Sequence, residues 1–202
     1  GAWQALRDPR VLALALIYFG TSAGLYTLGL WAPLMVKQFG FTALQTGLLT
    51  GIPSIAAVVA MIVWARHSDR SGERTWHVVI PCVLACIGFV FAGQASTALL
   101  TVLALVVVNI GISAAKAPLW AMPSAFLSGA GAAAGIAMIN SIGNLGGFVG
   151  PFAIGWLKHV TGGYAAGLYV VAGTLAVSAV VTLMLSRKGA TTQVVTGAQQ
   201  HH

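Results

Sequence analysis

Few side chains in this chain could do chemistry, and most of those are uncharged. Tyr18, Ser22 and Tyr26 recur at i, i+4 and i+8, which lays three hydroxyls along one face of a helix. Asn140 and Asn144 stand four apart and share a face in the same way, while Asn109 lies alone in another apolar run. Such groups either tie helices together in lipid, contributing roughly 0.6–2 kcal/mol each, or line a polar path for a solute. Both readings stay open from the residues. Lys116 is the one Lys, Arg, Asp or Glu inside an apolar run, close to its end. It either snorkels to the surface or draws an anion to the mouth of a path. No catalytic set accompanies these groups: Asp8, Asp69 and Glu73 sit at polar margins, and no metal-ligand spacing or phosphate-binding loop is present. Cys82 and Cys86 have no partner base and lie at helical spacing in an apolar run, as buried free thiols would. Enzymatic activity, a metal and other cofactors are not expected.

The elements that must position these groups are membrane spans. Hydrophobic residues make up 58% of the 202, charged residues only 6%, and mean hydropathy is +0.90. A soluble domain of this size needs about a quarter of its residues charged, and disorder needs low hydrophobicity. An all-α integral membrane protein is left. A bilayer core is crossed by about 20 helical residues, and six runs have that length: Val11–Val36, Leu44–Ala65, Trp76–Ala92, Thr97–Trp120, Ala132–Leu157 and Tyr164–Leu185. A run such as "IAAVVAMIVWA" does not alternate as a barrel strand would. Gly143 and Gly147, and Gly146 and Gly150, stand at G-x-x-x-G spacing before Pro151. That pattern serves close helix contact or a helix that bends during a conformational cycle. Pro33, Pro53, Pro118 and Pro123 interrupt other spans or their ends.

Charge sets the orientation. Ten Lys and Arg against three Asp and Glu give +7, which in a membrane chain reports retention of basic residues on the cytoplasmic side rather than nucleic-acid binding. Arg7, Arg10, Arg66, Arg70, Arg74, Arg187 and Lys188 fall on one side and Lys37 and Lys158 on the other. Both ends of the chain and the stretch "RHSDRSGERTWH" are therefore expected in the cytoplasm. Residues 1–10 read as the end of a cytoplasmic linker, 11–186 as a six-helix bundle and 187–202 as a disordered tail. The start, "GAWQALRDPR", suggests part of a longer protein.

Asp69, Arg70, Gly72 and Arg74 resemble the D-R-x-G-R-R loop of the major facilitator superfamily. The stretch "PLWAMPSAFLSGAGAAAGIAMINSIGNLGGFVGPFAIGWLKHVTGGY" resembles spans ten to eleven of its anion:cation symporter branch, and "LRDPRVLALALIYF" with "GLYTLGLWAPL" resembles the start of span seven. The resemblance covers residues 5–187. It implies the C-terminal six-helix half of a secondary transporter of small organic anions in the cell (inner) membrane. Alternating access, an N-terminal six-helix partner and a coupling proton or sodium ion come with it. The alternatives are a six-helix module that transports nothing and packs against a partner, or a half that pairs with itself. Under the resemblance Tyr18, Ser22, Tyr26, Asn109, Asn140 and Asn144 form an uncharged substrate wall. Asp69, Arg70, Gly72 and Arg74 form a cytoplasmic gate, although the arginines also suit a plain solvated turn. The anion-pairing arginine and the proton-carrying acids belong mainly to the other half, in agreement with the absence of acids deep in these spans.

Overall fold

The computed structural model describes residues 1–199, with side chains through Gly189. A short helix α1 (Ala2–Arg7) leads into six helices long and apolar enough to cross a membrane: α2 (Pro9–Lys37), α3 (Ala43–Ser71), α4 (Thr75–Gln94), α5 (Ala98–Ala121), α6 (Gly129–Thr161) and α7 (Ala165–Gln199). Their starts follow from side chains that satisfy the first amides. Asp8 accepts from the Arg10 amide at 2.8 Å, with Pro9 in the first turn of α2. Thr42 and Gln45 close a capping box on α3, and Thr97 caps α5. The ends of α3 and α6 are set by Gly72 (φ 68°) and Gly162 (φ 83°), both in the left-handed region that glycine enters without strain.

Helix α2 runs through the middle of the bundle and packs on α5, α6 and α7; α4 packs on α5 and α7, and α3 lies along α5. Leu14, Ile17, Phe89, Ile112 and Leu175 fill the space between them. Two helices stand at the margin. Only 6% of the apolar window of α3 and 22% of that of α6 is buried, against 50–56% for α2, α4 and α5.

The paired glycines of α6 serve close contact. A Cβ on Gly146 would lie 2.1 Å from the Phe19 carbonyl oxygen, and one on Gly150 would lie 2.8 Å from that of Ala23. The α2 and α6 backbones touch there because nothing projects between them. Gly20 does the same toward α7, where the Ser178 hydroxyl donates to the Ile17 carbonyl at 3.0 Å.

Two segments differ from the sequence reading. The stretch read as a charged loop after Ala65 is helix as far as Ser71, which leaves only Gly72, Glu73 and Arg74 between α3 and α4. The tail from residue 187, read as disordered, continues α7 to Gln199. Extending a formed helix costs far less than nucleating one, and no proline interrupts this one. Residues 200–202 of that tail lie outside the described residues.

Candidate functional site

The hydroxyl stripe of α2 does not form one polar wall. Tyr18 is half-buried with its ring edge-on to Trp120 of α5, centroids 4.9 Å apart, and it lies against Gly143 of α6. Tyr26 is 50% exposed and covers Gly147. Ser22, between them, is 1% exposed, and its hydroxyl has no hydrogen-bond partner among the described residues. The helical spacing was right, but the middle residue is buried within the bundle.

Asn140 is exposed and Asn144 half-buried, one turn apart on α6. The Asn144 amide donates to the Asn140 backbone carbonyl at 2.8 Å and to its side-chain oxygen at 3.0 Å. They bond to each other within α6 rather than to a neighbouring helix. Asn144 also adjoins Gly143, so the Tyr18 ring and the amide pair lie on neighbouring strips of α6.

Asn109 holds two helices together. Its amide donates to Ser54 of α3 at 3.4 Å and its oxygen accepts from Ser113 at 3.4 Å. It also borders a groove of about 290 Å³ between α2, α3 and α5, together with Ser54, Thr50, Gly29 and Leu25. Pro33 of α2 and Pro53 of α3 line the same groove. Ser54 and Thr50 were missed by inspection of the sequence. They sit singly in a hydrophobic helix, and only the burial of α3 on α5 reveals which way they face. Gly147, Phe148, Pro151 and Trp156 of α6 and Tyr26, Trp31 and Leu30 of α2 border a second, apolar groove of about 970 Å³. There the Trp31 indole donates to the Pro151 carbonyl at 3.0 Å and pins the two helices.

At the end of the bundle that carries most of the arginines, the turn between α3 and α4 is knotted. The Ser68 hydroxyl donates to the Glu73 carbonyl at 2.5 Å, and the Arg74 guanidinium donates to Ser68 at 2.8 Å and to Asp69 at 2.6 Å. Arg70 is exposed on the last turn of α3, and Gly72 supplies the left-handed bend. Of the four residues singled out here, Asp69 and Arg74 are in contact and Gly72 joins their helices. The sequence reading missed what lies beside them. His77 is 6% exposed; its Nδ1 meets the Glu73 carboxylate at 2.5 Å and its Nε2 meets Nδ1 of His67 at 2.7 Å. Trp64 donates to the His77 carbonyl at 2.7 Å and packs against both rings. Burial pushes the Glu73 carboxyl up, but bonds from the Trp76 amide, the His77 ring and the His77 amide outweigh it and leave the pKa below the ordinary value. Lys116 is half-buried and makes no ion pair or hydrogen bond among the described residues.

A bundle of six apolar helices with amides and hydroxyls along its uncovered faces is a multi-pass membrane protein. Residues 1–151 match the family model described as Major Facilitator Superfamily, and the chain belongs to that superfamily. Two Agrobacterium vitis proteins, each named "Putative tartrate transporter", are 64% and 59% identical over 90% and 97% of this chain. An Acinetobacter baumannii protein named "Quinolone resistance transporter" is 40% identical over 92% of it. The chain covers 42%, 44% and 43% of the lengths of these relatives, less than half of each.

Proposed function

We propose that this chain is the C-terminal six-helix half of a secondary transporter that moves small organic anions, carboxylates or sugar acids among them, by alternating access. It would act in the cell (inner) membrane with both ends of the chain in the cytoplasm. The observation that carries the reading is the uncharged polar lining: Asn109, Ser54 and Thr50 border one groove, and Asn140 and Asn144 stand on the uncovered side of α6. Hydrocarbon-facing helices have no use for exposed amides, whereas a path for a hydrated carboxylate needs hydrogen-bond donors that leave it free to depart. The similarity to proteins named for tartrate supports the substrate class. In this reading an N-terminal half covers α3 and α6 and supplies the anion-pairing cation and the coupling acid. Lys116 adds a cation at the cytoplasmic mouth, and Asp69, Arg70, Gly72 and Arg74 close that side.

The test is uptake of labelled tartrate by the full-length protein in proteoliposomes, with a proton gradient or a sodium gradient imposed in turn. Uptake driven by one of the two supports a symporter and identifies the ion. Absence of uptake under both, with correctly inserted protein, refutes the substrate class. Labelling of cysteines placed at positions 70 and 159 in intact cells checks the orientation; reaction at position 70 from outside overturns it.

A further inference from the structure

The chain Glu73–His77–His67 has no part in the substrate wall, yet it is a complete acid–base relay. Glu73 is held as a carboxylate acceptor, so His77 must present Nδ1–H to it. That fixes the His77 tautomer and leaves Nε2 with a lone pair, which accepts Nδ1–H from His67. With both rings neutral every polar atom between them is satisfied. The next proton has one good place, Nε2 of His67, an exposed residue. There it makes the His67–His77 bond charge-assisted and roughly doubles its strength. A second proton would need Nε2 of His77 and would set two N–H groups face to face at 2.7 Å. The relay therefore takes one proton and becomes tighter. A shared metal ion does not fit, because tetrahedral ligands about 2.0–2.1 Å from zinc sit about 3.3 Å apart, whereas these nitrogens lie at hydrogen-bond distance.

His67 belongs to the last turns of α3 and His77 to the first turn of α4, so this bond ties the helices on either side of the turn that holds Asp69 and Arg74. We propose that the His67–His77 pair is a proton-binding site that tightens the cytoplasmic gate when occupied and loosens it when the proton leaves. The inference rests on the gate reading of this turn. The surrounding charge makes occupancy depend on Glu73. Arg66, Asp69 and Arg70 stand on α3, Arg74 in the turn, Lys116 on α5 and Arg187 and Lys188 on α7, the last two helices being packed on α4. Cations dominate that set, and Glu73 is the carboxylate in line with the two rings.

The experiment uses the full-length protein in inside-out vesicles, with Ser54→Cys as a probe of the groove and a membrane-impermeant maleimide added at the cytoplasmic face. His67→Gln keeps a donor for His77 but binds no proton. The measured quantity is the labelling rate of the S54C/H67Q pair divided by that of S54C alone, which cancels the thiol's own pH dependence. The ratio should be near 1 at about pH 8 and should rise about threefold or more at about pH 6, the scale of one strengthened hydrogen bond. The S54C/E73Q pair, divided by S54C in the same way, should show the same rise, because the carboxylate that supports the proton is gone. A ratio that stays at 1 while Asp69→Asn still speeds labelling overturns this inference and leaves the gate intact. If Asp69→Asn leaves labelling unchanged, the gate reading fails and the inference falls with it. Size-exclusion profiles of the variants separate misfolding from either result.

Discussion

Contact between α2 and α6 should be the least forgiving in the bundle, and Gly146→Ala tests it with one methyl group. A carbon approaches a carbonyl oxygen no closer than about 3.3 Å, and the added Cβ would start 2.1 Å from the Phe19 oxygen. The helices must part by roughly 1.2 Å, the difference of those distances, because the obstacle is backbone and has no rotamer to change. A gap of 0.5–1 Å already forfeits a quarter to a half of each dispersion contact, and overpacked sites of this kind cost about 1–3 kcal/mol. Gly173→Ala on α7 is the matched control. Nothing lies within 4 Å of a Cβ there, so alanine should gain up to about 1 kcal/mol from helix propensity alone. The assay is unfolding of both variants in mixed micelles by denaturing detergent, followed by tryptophan emission. Opposite signs are expected. If Gly146→Ala is as harmless as Gly173→Ala, the helices are not in backbone contact and the placement of Asn140 and Asn144 beside Tyr18 is wrong as well.

Three other outcomes follow from named contacts. Asn144→Ala should lower tartrate uptake more than Asn109→Ala, because Asn144 holds Asn140 on the uncovered side of α6 through two hydrogen bonds, while Asn109 is tied between helices to Ser54 and Ser113; the reverse order counts against the wall as assigned. Asp69→Asn should impair uptake without reducing the amount of protein in the membrane, since it breaks the 2.6 Å pair with Arg74 on an exposed turn; unchanged uptake refutes the gate. The bond from the Arg10 side chain holds the Asp8 carboxyl below its ordinary value of 3.8, so its contribution to stability is present above that value and is lost as pH falls through the lowered one. Asp8→Asn should therefore be less stable than the parent at neutral pH, with the difference closing in acid; a pH-independent difference would assign the loss to packing.

Span number, helix contacts through the α6 glycines and the free cysteines were legible in the sequence, because each rests on a property one helix carries by itself: length, hydropathy, small-residue spacing. Ser22 and Ser54 were not. The first is buried and the second is exposed beside Asn109 of another helix, and hydropathy is blind to direction around a helix that is apolar on every side. The His67–His77 bond was missed for a related reason. The charged stretch was read as a loop, and ten residues of loop give no reason to pair its ends. As helix to Ser71 followed by a three-residue turn, the same residues stand at adjoining helix ends, where His67 Nδ1 and His77 Nε2 come within 2.7 Å.

The poor burial of α3 and α6 carries the last step. In water a helix with 6% of its window buried would be an unfinished core; in lipid it is no anomaly, because acyl chains solvate Leu44, Ile55 and Val63 as well as protein does. Apolar exposure therefore cannot tell a lipid-facing side from a protein-facing one in this chain, and the exposed leucines and valines of α3 say nothing about partners. Polar exposure can. An amide turned to hydrocarbon lacks the hydrogen bonds that water or protein would offer, and Asn140, half-exposed Asn144 and the Ser54–Asn109 pair all occur on the two marginal helices or beside them. Those few groups, rather than the much larger apolar area around them, mark the direction in which water, a solute or a second half must lie. Replacing Asn140 with leucine should accordingly leave insertion intact and alter only what the protein binds or meets on that side.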